Sequence, residues 1–296
     1  MKCLVTGGAG FIGSNLVDKL VELGYEVSVI DNESATAHDR FYYNDKSKFY
    51  KYDICDYVNT RPLYNNVDYV FHLAAESRIQ PTLDNPLLAV QTNTLGTATV
   101  LQCAREAGVK RVIYSSTSSA YGRNIPPLQE TMKDDCLNPY SVSKVAGEKL
   151  CTMYSELFGL DTVIFRYFNV YGQREPIKGP YAPVVGLFLR QKRAGESLTI
   201  VGDGLQTRDF THVDDVVRAN IQAMTYGKIG QVHNIGTGKN NSVLDLAKLI
   251  SNDIIFIPQR LGEARDTQAD ITYTEASLSW KTEKSILDYI KEQVNE

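Results

Sequence analysis

Short apolar runs rich in β-branched residues alternate with longer stretches of helical periodicity along the first half of the chain. The apolar runs predict strands over 2–6, 26–30, 48–52, 68–72, 111–115 and 162–167. The periodic stretches predict helices over 12–23, about 90–107 and 140–158. Strands that alternate with helices in this way are typical of parallel sheets with crossover helices. The pattern therefore predicts an α/β fold with a Rossmann-type, doubly wound parallel sheet.

The pattern changes after Gly172, where prolines and glycines interrupt the chain over residues 173–183. Such a stretch is typical of a loop at the mouth of a site. Beyond it, the sequence predicts a helix near 184–194, strands at 198–201 and 254–257, and a final helix.

The change in sequence pattern after Gly172 predicts that the chain forms two structural parts. A chain of 296 residues with 43% hydrophobic residues is long enough to bury a full core and to add a smaller lobe. We expect a large domain over 1–172, to which 209–250 return, and a smaller C-terminal lobe over 173–296. The lobe is expected to consist mainly of 173–208 and 251–296.

Charge and composition narrow the class of protein. The formal net charge is −4 and no basic block occurs, so the electrostatic footprint of a nucleic-acid-binding protein is missing. No apolar run reaches the roughly 18 residues of a membrane span, and the first strand leaves no room for a signal peptide. The five cysteines form no CxxC pair and the four histidines lack ligand spacing. We therefore expect a cytoplasmic protein that binds no membrane, nucleic acid or metal.

A glycine-rich turn follows the first predicted strand. Gly8–Gly13 fits the pattern G-x-G-x-x-G, opens the helix at 12–23 and is followed 18 residues later by Asp31 at the end of the next strand. In this context the glycines allow a pyrophosphate to approach a helix N-terminus, and the acidic residue accepts hydrogen bonds from ribose hydroxyls. Because Asp31 would repel a 2′-phosphate, the motif predicts tightly bound NAD rather than NADP. The alternative is that Asp31 is a strand-end turn residue with Asn32.

A tyrosine and a lysine four residues apart, Tyr140 and Lys144, share one face of a predicted helix. Spacing alone is not decisive, since Tyr42 and Lys46 share it in a polar segment. The neighbourhood of Tyr140 differs, because the strand that precedes it ends in the hydroxyl-rich run Ser115–Ser119. Strand ends at the carboxyl edge of such a sheet are where ligands bind.

Tyr140 is then expected to be a general base, Lys144 its electrostatic support and a ligand of the cofactor ribose, and Thr117 the hydroxyl that orients the substrate alcohol. Lowering a tyrosine pKa from about 10 to about 7 requires roughly 4 kcal/mol. One cation at about 4 Å supplies that amount at an effective dielectric constant near 20, and a positively charged nicotinamide adds to it. The sequence therefore predicts oxidation at a carbon that bears a hydroxyl.

Together these residues resemble the extended short-chain dehydrogenase/reductases of the nucleotide-sugar epimerase and dehydratase group, over nearly the whole chain. The matching segments are Thr6–Gly13, Asp53–Ile54, His72–Ala75, Asn93 with Gly96 and Thr97, Ser115–Gly122, Tyr140–Lys144, Arg166–Gly172 and Gly202–Asp215. By this resemblance, the large domain would bind NAD and the C-terminal lobe would bind a nucleotide-diphosphate sugar, most often UDP-linked in this group.

The resemblance also implies roles for single residues. Asp53 and Ile54 would hold the adenine, Leu73–Ala75 would line the cofactor, and Asn93 would lie near the nicotinamide. The expected cofactor-binding residues are Gly7, Gly10, Phe11, Ile12, Gly13, Asp31, Asn32, Asp53, Ile54, Leu73, Ala74, Ala75, Asn93, Ser115, Tyr140, Lys144 and Tyr167. The expected substrate-binding residues are Ser77, Thr117, Asn169, Arg208, Arg260 and Thr267.

Two arginines would clamp the nucleotide diphosphate, since forked guanidinium groups suit phosphate oxygens. Arg208 lies in the matching run Gln206–Phe210. Arg260 departs from the family pattern, because Leu261 stands where a proline is usual. We expect Arg260 to be the second arginine, with the nearby Arg265 as the alternative.

The residues after Thr117 distinguish reactions within the group. Dehydratases and decarboxylases of the group tend to carry acids there, whereas this chain has Ser118 and Ser119. Without a carboxylic acid at these positions, no side chain there can transfer the protons that elimination or decarboxylation requires. The resemblance then implies a 4-epimerase, in which the sugar is oxidised at C4, rotates as the 4-keto form and is reduced on its opposite face. A UDP-glucuronate 4-epimerase, a 4-reductase, a C5-epimerase and a non-catalytic NAD(H)-binding protein are the alternatives.

The sugar and the assembly are further expectations from the resemblance. Thr267 falls where similar epimerases border the C2 substituent, and Gly179–Pro183 resembles epimerases that act on N-acetylated sugars. We expect either the UDP-glucose and UDP-galactose pair or the N-acetylhexosamine pair. The helices near 90–107 and 140–158 resemble the pair that forms a four-helix interface, so a homodimer is expected.

Overall fold

The structure, a computed structural model, describes residues 1–35, 38–179 and 181–295; Pro180 of the Gly179–Pro183 stretch therefore lies outside the described residues. In chain order, the strands are β1 (Lys2–Thr6), β2 (Glu26–Ile30), β3 (Lys48–Tyr50), β4 (Tyr69–His72), β5 (Arg111–Thr117), β6 (Thr162–Tyr167), β7 (Val170–Tyr171), β8 (Leu198–Val201), β9 (Thr207–Asp209), β10 (Thr211–His212), β11 (Val232–Ile235), β12 (Asn240–Ser242) and β13 (Ile254–Ile257). The α-helices are α1 (Phe11–Glu22), α2 (Tyr57–Thr60), α3 (Ile79–Asp84), α4 (Pro86–Val90), α5 (Thr97–Ala107), α6 (Pro139–Phe158), α7 (Val184–Arg193), α8 (Val213–Gln222), α9 (Val243–Ile250), α10 (Thr272–Leu278) and α11 (Ile286–Asn295). None of the helices in the described ranges is long and apolar enough to span a membrane.

Seven of the described strands form one parallel sheet in the order β11-β6-β5-β4-β1-β2-β3. The chain first builds outward from β1 through β2 and β3, and then builds in the other direction through β4, β5 and β6. This doubly wound, Rossmann-type topology confirms the predicted fold class. In such sheets, ligands bind beyond the carboxyl ends of the strands at the point where the strand order reverses, here between β1 and β4.

Apolar side chains fill both faces of the large sheet. On one face, α1 and α8 pack against the strands through buried residues such as Leu16, Val17 and Val216. On the other face, α5 and α6 cover the sheet through residues such as Val100 and Cys151. Burying one large aliphatic side chain stabilises a fold by roughly 1.5–3 kcal/mol. These two apolar layers therefore fix the strand ends that carry the site.

A second, smaller core lies in the C-terminal part of the chain. β8 pairs in parallel with β13, and α7, α9 and α11 pack around residues such as Phe188 and Leu246. Leu278 and Trp280 belong instead to the core of the large sheet, where the Trp280 indole N–H donates to the Asp215 carbonyl at 2.9 Å. The predicted domain boundaries stay a prediction. In the structure, α9 packs in the smaller core although it falls within 209–250, and Trp280 packs against the large sheet although it falls within 251–296.

The observed elements differ from the predicted ones mainly at their ends. β5 continues to Thr117, two residues beyond its predicted end, because Ser115–Thr117 pair with Phe165–Tyr167 of β6. β3 ends at Tyr50, where its pairing with β2 stops. The helix predicted at about 90–107 begins with α4 and includes a π-helical turn over Gln91–Gly96 before α5.

Candidate active site

A cavity of about 440 Å³ opens at the carboxyl edge of the large sheet. Its walls come from the turn after β1, the segment after β4, the end of β5, the first turn of α6 and loops of the C-terminal part. Among the residues predicted to act at the site, all but Asp53 and Asn93 line it: Gly7, Gly10, Phe11, Ile12, Gly13, Asp31, Asn32, Ile54, Leu73, Ala74, Ala75, Ser77, Ser115, Thr117, Tyr140, Lys144, Tyr167, Asn169, Arg208, Arg260 and Thr267.

The glycine-rich turn after β1 is shaped to receive a phosphate-bearing group. A Cβ on Gly13 would lie 2.1 Å from the Gly7 carbonyl oxygen, so a larger residue cannot occupy this position without moving the backbone. Gly10 is the N-cap residue of α1, lines the cavity and offers no side-chain cap. The uncapped N–H groups of a helix N-terminus attract phosphate oxygens.

Asp31 fastens this turn to the end of β2. One carboxylate oxygen accepts from the Ala9 N–H at 3.0 Å and the other from the Glu33 N–H at 2.8 Å. Burial raises the pKa of Asp31, and these two N–H donors oppose the rise. A carboxylate offers about four acceptor sites, so Asp31 retains capacity for ribose hydroxyls. The turn and Asp31 together fit a bound NAD.

Asp53 and Asn93 occupy other positions than the cavity wall. Asp53 is exposed and accepts from the Asn32 amide at 3.0 Å. Asn93 is completely buried; its side chain accepts from the Glu76 N–H at 2.8 Å and donates to the Ser143 hydroxyl at 2.9 Å. Asn93 therefore ties the segment after β4 to α6, and its contact with the nicotinamide stays a prediction.

The N-terminus of α6, which carries the predicted catalytic pair, is firmly defined. The Asn138 side chain accepts from the Ser141 N–H at 2.8 Å, and Pro139 occupies the first helical position. The Asn138 amide also donates to the Gly262 carbonyl at 2.8 Å. This bond ties the start of the helix to a loop of the C-terminal part.

Lys144 is held between β5 and α6. Gly147 lets the two elements approach, since a Cβ at this position would lie 2.2 Å from the Tyr114 hydroxyl oxygen. The Tyr114 hydroxyl donates to the Lys144 carbonyl at 3.1 Å, and the Lys144 ammonium lies 4.3 Å from the centre of the Tyr114 ring. The lysine is therefore fixed in the inner wall of the cavity, with its charge over an aromatic face.

Burial perturbs both members of the predicted catalytic pair. It raises the pKa of Tyr140, while interaction with the Thr117 side chain and the positive charge of Arg78 act in the opposite direction. Burial lowers the pKa of Lys144 to about 7. The sequence predicts that Lys144 is the cation that lowers the Tyr140 pKa. In the structure Thr117 and Arg78 act in that direction, whereas the Lys144 ammonium lies over the Tyr114 ring.

A buried ion network supports the end of β5. Glu148 accepts from Arg166 at 2.9 and 2.6 Å and also from the Ser116 hydroxyl. Arg166 donates to Asp134 as well. Because Glu148 and Arg166 are each 2% exposed, removing either one would leave a buried unpaired charge. The network fixes Ser116 and, through the backbone, the adjacent Thr117.

The two predicted diphosphate arginines lie on the wall formed by the C-terminal part. Arg208 donates to the carbonyls of Thr207 and Arg265, each at 2.9 Å, and burial lowers its pKa. Arg260 lines the same cavity. The Arg265 guanidinium instead donates to both carboxylate oxygens of Asp203 at the surface, each at 2.9 Å. The geometry therefore favours Arg260 over Arg265 as the second arginine.

Asn169 and Thr267 meet on the wall of the cavity where the substrate is predicted to bind. The Asn169 amide donates to the Asp209 carbonyl at 2.9 Å and to the Thr267 hydroxyl at 3.3 Å. The Asp209 carboxylate is completely buried, and it accepts from the N–H groups of Thr237, Gly238 and Ala269. One buried carboxylate thus joins several loops into one wall.

Several charged or titratable residues at these cavities, Glu76 and Glu263 among them, are missing from the sequence-based prediction. Arg78 and His38 line the main cavity, and Glu175 lines a smaller cavity beside it. A usable signal existed for Arg78, because it closely follows the predicted strand at 68–72 and the matching segment His72–Ala75. His38 and Glu175 lie in irregular segments, where no periodicity indicates which residues are buried.

A doubly wound sheet, a glycine-rich turn with an acidic residue after β2, and a tyrosine and lysine in one cavity define a nicotinamide-dependent enzyme of the extended short-chain dehydrogenase/reductase type. The family described as NAD dependent epimerase/dehydratase matches residues 3–236, and the chain belongs to this family. The protein is therefore an enzyme of the NAD-dependent nucleotide-sugar group, and NAD is its cofactor.

Similar proteins act on several sugars. The UDP-glucose 4-epimerase of Thermotoga maritima, solved with UDP-glucose, is 37% identical, with a TM-score of 0.94 over 100% of this chain and 98% of that one. The UDP-glucuronic acid 4-epimerase of Bacillus cereus, solved with UDP-glucuronic acid and NAD, is 31% identical, with a TM-score of 0.89 over 100% of this chain and 98% of that one. The UDP-N-acetyl-alpha-D-glucosaminuronate decarboxylase of Bacillus cytotoxicus is 38% identical over 87% of this chain and 83% of its own length. Similarity therefore establishes the family and leaves the individual sugar and reaction open.

Proposed function

We propose that this protein is an NAD-dependent 4-epimerase of a nucleotide-diphosphate sugar, acting on the UDP-glucose and UDP-galactose pair or the corresponding N-acetylhexosamine pair. The observation that carries the proposal is the wall formed by the end of β5. There Thr117, which interacts with Tyr140, is followed by Ser118 and Ser119, and all of these line the cavity. Elimination or decarboxylation needs an acid beside the sugar, whereas oxidation and re-reduction at C4 need one group that takes and returns a proton.

In the proposed reaction, Tyr140 takes and returns one proton. As a phenolate it accepts the proton of the C4 hydroxyl, and as a phenol it gives that proton back after the sugar has turned over. The Thr117 hydroxyl orients the C4 oxygen, and Lys144 binds the cofactor ribose. With a pKa of about 7, Lys144 is partly protonated at neutral pH and adds positive charge to the site. The turn after β1 and Asp31 would hold NAD, which would supply the hydride acceptor and donor needed at C4.

Inversion at C4 requires the sugar to turn while the nucleotide stays in place. Arg208 and Arg260 would hold the diphosphate, since guanidinium groups form forked hydrogen bonds with phosphate oxygens. Small side chains at Ser77, Thr117 and Thr267 line the same cavity. Tight binding of the diphosphate by the arginines, together with small side chains around the sugar, supports rotation of the sugar about its diphosphate.

A proton NMR time course tests the reaction. The purified protein, supplied with NAD, is offered UDP-glucose, UDP-N-acetylglucosamine and UDP-glucuronate in separate samples. We expect a galacto-configured anomeric signal without net release of NADH, and no such signal with Tyr140→Phe. A pentose or deoxy-sugar product would contradict the proposal in favour of decarboxylation or elimination. Stoichiometric consumption of reduced cofactor would indicate a 4-reductase, and inversion at C5 a C5-epimerase. NAD binding without turnover of any sugar would support the non-catalytic alternative.

We also propose that the protein forms a homodimer through the helices around α5 and α6. Large apolar residues are exposed on these helices and the adjoining α4 and π-helical turn: Leu87, Val90, Leu95, Val142 and Leu157. Clustered apolar exposure of this kind is typical of interaction surfaces. Light scattering is expected to give twice the chain mass of 33.1 kDa, and a single species at that chain mass would contradict the dimer.

A further inference from the structure

Arg78 lies between two cavities of the catalytic region. It is the residue before α3, and it lines both the main cavity and a side cavity of about 250 Å³. Asn169 and Arg208 also line both cavities, and Glu175 lines the side cavity. The side cavity therefore adjoins the wall at which the substrate is expected.

Among the residues that the structure describes, none supplies the Arg78 guanidinium with a counter-ion in contact. Its Nε is buried without a hydrogen-bond partner, and no carboxylate oxygen of the described residues lies within 4.0 Å of the group. The carboxyl group that acts on it is Glu175, whose Oε1 is also buried without a partner. Burial raises the pKa of Glu175 to about 8, so this carboxyl is mainly neutral at pH 7. A half-buried cation whose buried Nε lacks a partner is costly, and it is expected where a ligand supplies the anion.

The position of Arg78 indicates which part of the ligand it meets. Arg78 and Tyr140 line the same main cavity, and the positive charge of Arg78 opposes the rise in the pKa of the Tyr140 phenol. In the proposed reaction this phenol meets the C4 hydroxyl, and the C6 group is carried by the adjacent ring carbon C5. The nucleotide diphosphate already has Arg208 and Arg260, and the cofactor pyrophosphate has the helix N-terminus at Gly10.

We propose that Arg78 and the side cavity form a subsite for a carboxylate at C6, so that the preferred substrate is the nucleotide diphosphate of a hexuronic acid rather than of a neutral hexose. The inference rests on the proposed 4-epimerase function, and it replaces the neutral sugars proposed above with the UDP-glucuronate alternative. A planar guanidinium binds a carboxylate through two parallel hydrogen bonds, and the neutral Glu175 carboxyl can donate a third. Arg78 is then a specificity-determining residue, separate from the proton transfer at Tyr140.

Binding to a protein that cannot turn over its substrate tests the subsite. The NAD-loaded Tyr140→Phe protein is titrated calorimetrically with UDP-glucuronate and with UDP-glucose, with and without Arg78→Gln. We expect UDP-glucuronate to bind at least about tenfold more tightly than UDP-glucose, and Arg78→Gln to reduce this preference by about 10- to 100-fold. Arg78→Lys keeps the charge without the planar fork and is expected to give an intermediate preference. Removal of a positive charge at the exposed Arg193, by Arg193→Gln, is the matched control and leaves the preference unchanged.

Several outcomes would overturn the subsite. One is equal binding of the two sugars to the Tyr140→Phe protein, and another is a preference that survives Arg78→Gln. Loss of bound NAD from Arg78→Gln with an unchanged sugar preference would assign the guanidinium to the cofactor pyrophosphate, since His38 beside Gly10 also experiences the Arg78 charge. If Arg78→Gln does not fold, an undiminished preference in Arg78→Lys has the same consequence.

The experiments distinguish failure of the proposed 4-epimerase function from failure of the carboxylate subsite. It appears in the wild-type NMR time course as the absence of epimerisation of every sugar, whatever the binding preference. A uronate preference without epimerisation would contradict the 4-epimerase and leave the subsite in place. Epimerisation of UDP-glucose in preference to UDP-glucuronate would support the 4-epimerase and overturn the subsite.

Discussion

The two sides of the main cavity are built in different ways. The cofactor side comes from short segments directly after neighbouring strands, early in the chain: Gly7–Gly13, Asp31 and Leu73–Ala75. The side proposed to bind the substrate, called the substrate side, gathers single side chains from loops spread over most of the chain: Arg78, Asn169, Arg208, Arg260 and Thr267. The first side relies on backbone geometry set by the sheet, and the second on long-range packing of side chains.

This difference determines which property a substitution on each side of the cavity is expected to change. On the cofactor side, Gly13 has no space for a further atom, so the smallest enlargement disturbs the backbone itself. On the substrate side, loops are joined by bonds to a buried carboxylate, Asp209, and single side chains can change while the wall persists. Substitutions on the cofactor side are therefore expected to affect folding and cofactor content, and those on the substrate side to affect affinity and specificity.

The largest effect is expected from Gly13→Ala. The added Cβ would lie 2.1 Å from the Gly7 carbonyl oxygen and 2.8 Å from the Gly8 Cα, so the turn must move. We expect the free energy of unfolding to fall by about 3 kcal/mol or more and bound NAD to be lost. Thermal unfolding and the NAD content of the purified protein measure these two effects.

Gly10→Ala is the matched control in the same turn. A Cβ there would lie 3.5 Å from the nearest atom, the Gly7 carbonyl oxygen, which is ordinary contact. We expect Tm to stay within a few degrees of the wild type, even if NAD binding weakens, because Gly10 lines the cavity. An equal fall in Tm for both variants would contradict the steric explanation of Gly13.

Tyr140→Phe is expected to abolish turnover and keep the cofactor. The ring remains while the proton-transferring hydroxyl is removed, so kcat should fall by roughly 10²- to 10⁴-fold. Tyr42→Phe is the matched control, because Tyr42 and Lys46 have the same spacing as Tyr140 and Lys144. Residual activity of Tyr140→Phe near the wild-type level would assign the proton transfer to another group.

Most residues predicted for the cofactor side, except Asp53 and Asn93, line the main cavity, because the sequence signals for this side are local; their contacts with NAD stay a prediction. Strands buried on both faces have continuous apolar runs, and the glycine pattern reflects a turn that begins and ends within a few residues. The spacing of Tyr140 and Lys144 is likewise a property of one helix. These features place the residues along the main cavity without knowledge of distant contacts.

The remainder of the site depends on contacts that no local pattern encodes. Asn93 matches a family position, yet its buried amide is bonded to Glu76 and Ser143 rather than lining the cavity. Arg78 and Glu175 are ordinary charged residues in the sequence, and only the packing shows that one buried atom of each, Arg78 Nε and Glu175 Oε1, lacks a hydrogen-bond partner. Tertiary packing therefore determines the electrostatics of the substrate side.

Two arginine substitutions on the substrate side are expected to have effects of intermediate size on the affinity for UDP. Arg260→Gln removes a guanidinium from the cavity wall, and we expect UDP to bind about 10- to 100-fold more weakly. Arg265→Gln removes an exposed guanidinium that is paired with Asp203, and we expect a change of about twofold or less. Calorimetric titration with UDP measures both. The reverse ranking would show that Arg265 is the second diphosphate arginine.

Near pH 4 the smallest effect is expected from Glu175→Gln, and the effect increases with pH, so that it appears as a change in pH dependence. The pKa of Glu175 is about 8 in the folded protein and about 4.3 in an unfolded chain, so the folded state binds more protons between these values. The free energy of unfolding of the wild type therefore falls as pH rises from about 4.3 to about 8, and this contribution is constant outside that window. Arg78 is the charged side chain that opposes the rise in the Glu175 pKa, and burial outweighs it.

Glutamine keeps the shape of the protonated carboxyl and does not titrate. Relative to the wild type, Glu175→Gln should therefore gain stability steadily between pH 5 and pH 8 and show little difference near pH 4, as measured by urea unfolding at each pH. Glu292→Gln, at an exposed position, is the control and should give no such pH-dependent difference. Parallel stability curves for Glu175→Gln and the wild type would mean that Glu175 is ionised in the folded protein. In that case Arg78 already has a counter-charge, and the need for a substrate carboxylate beside it disappears.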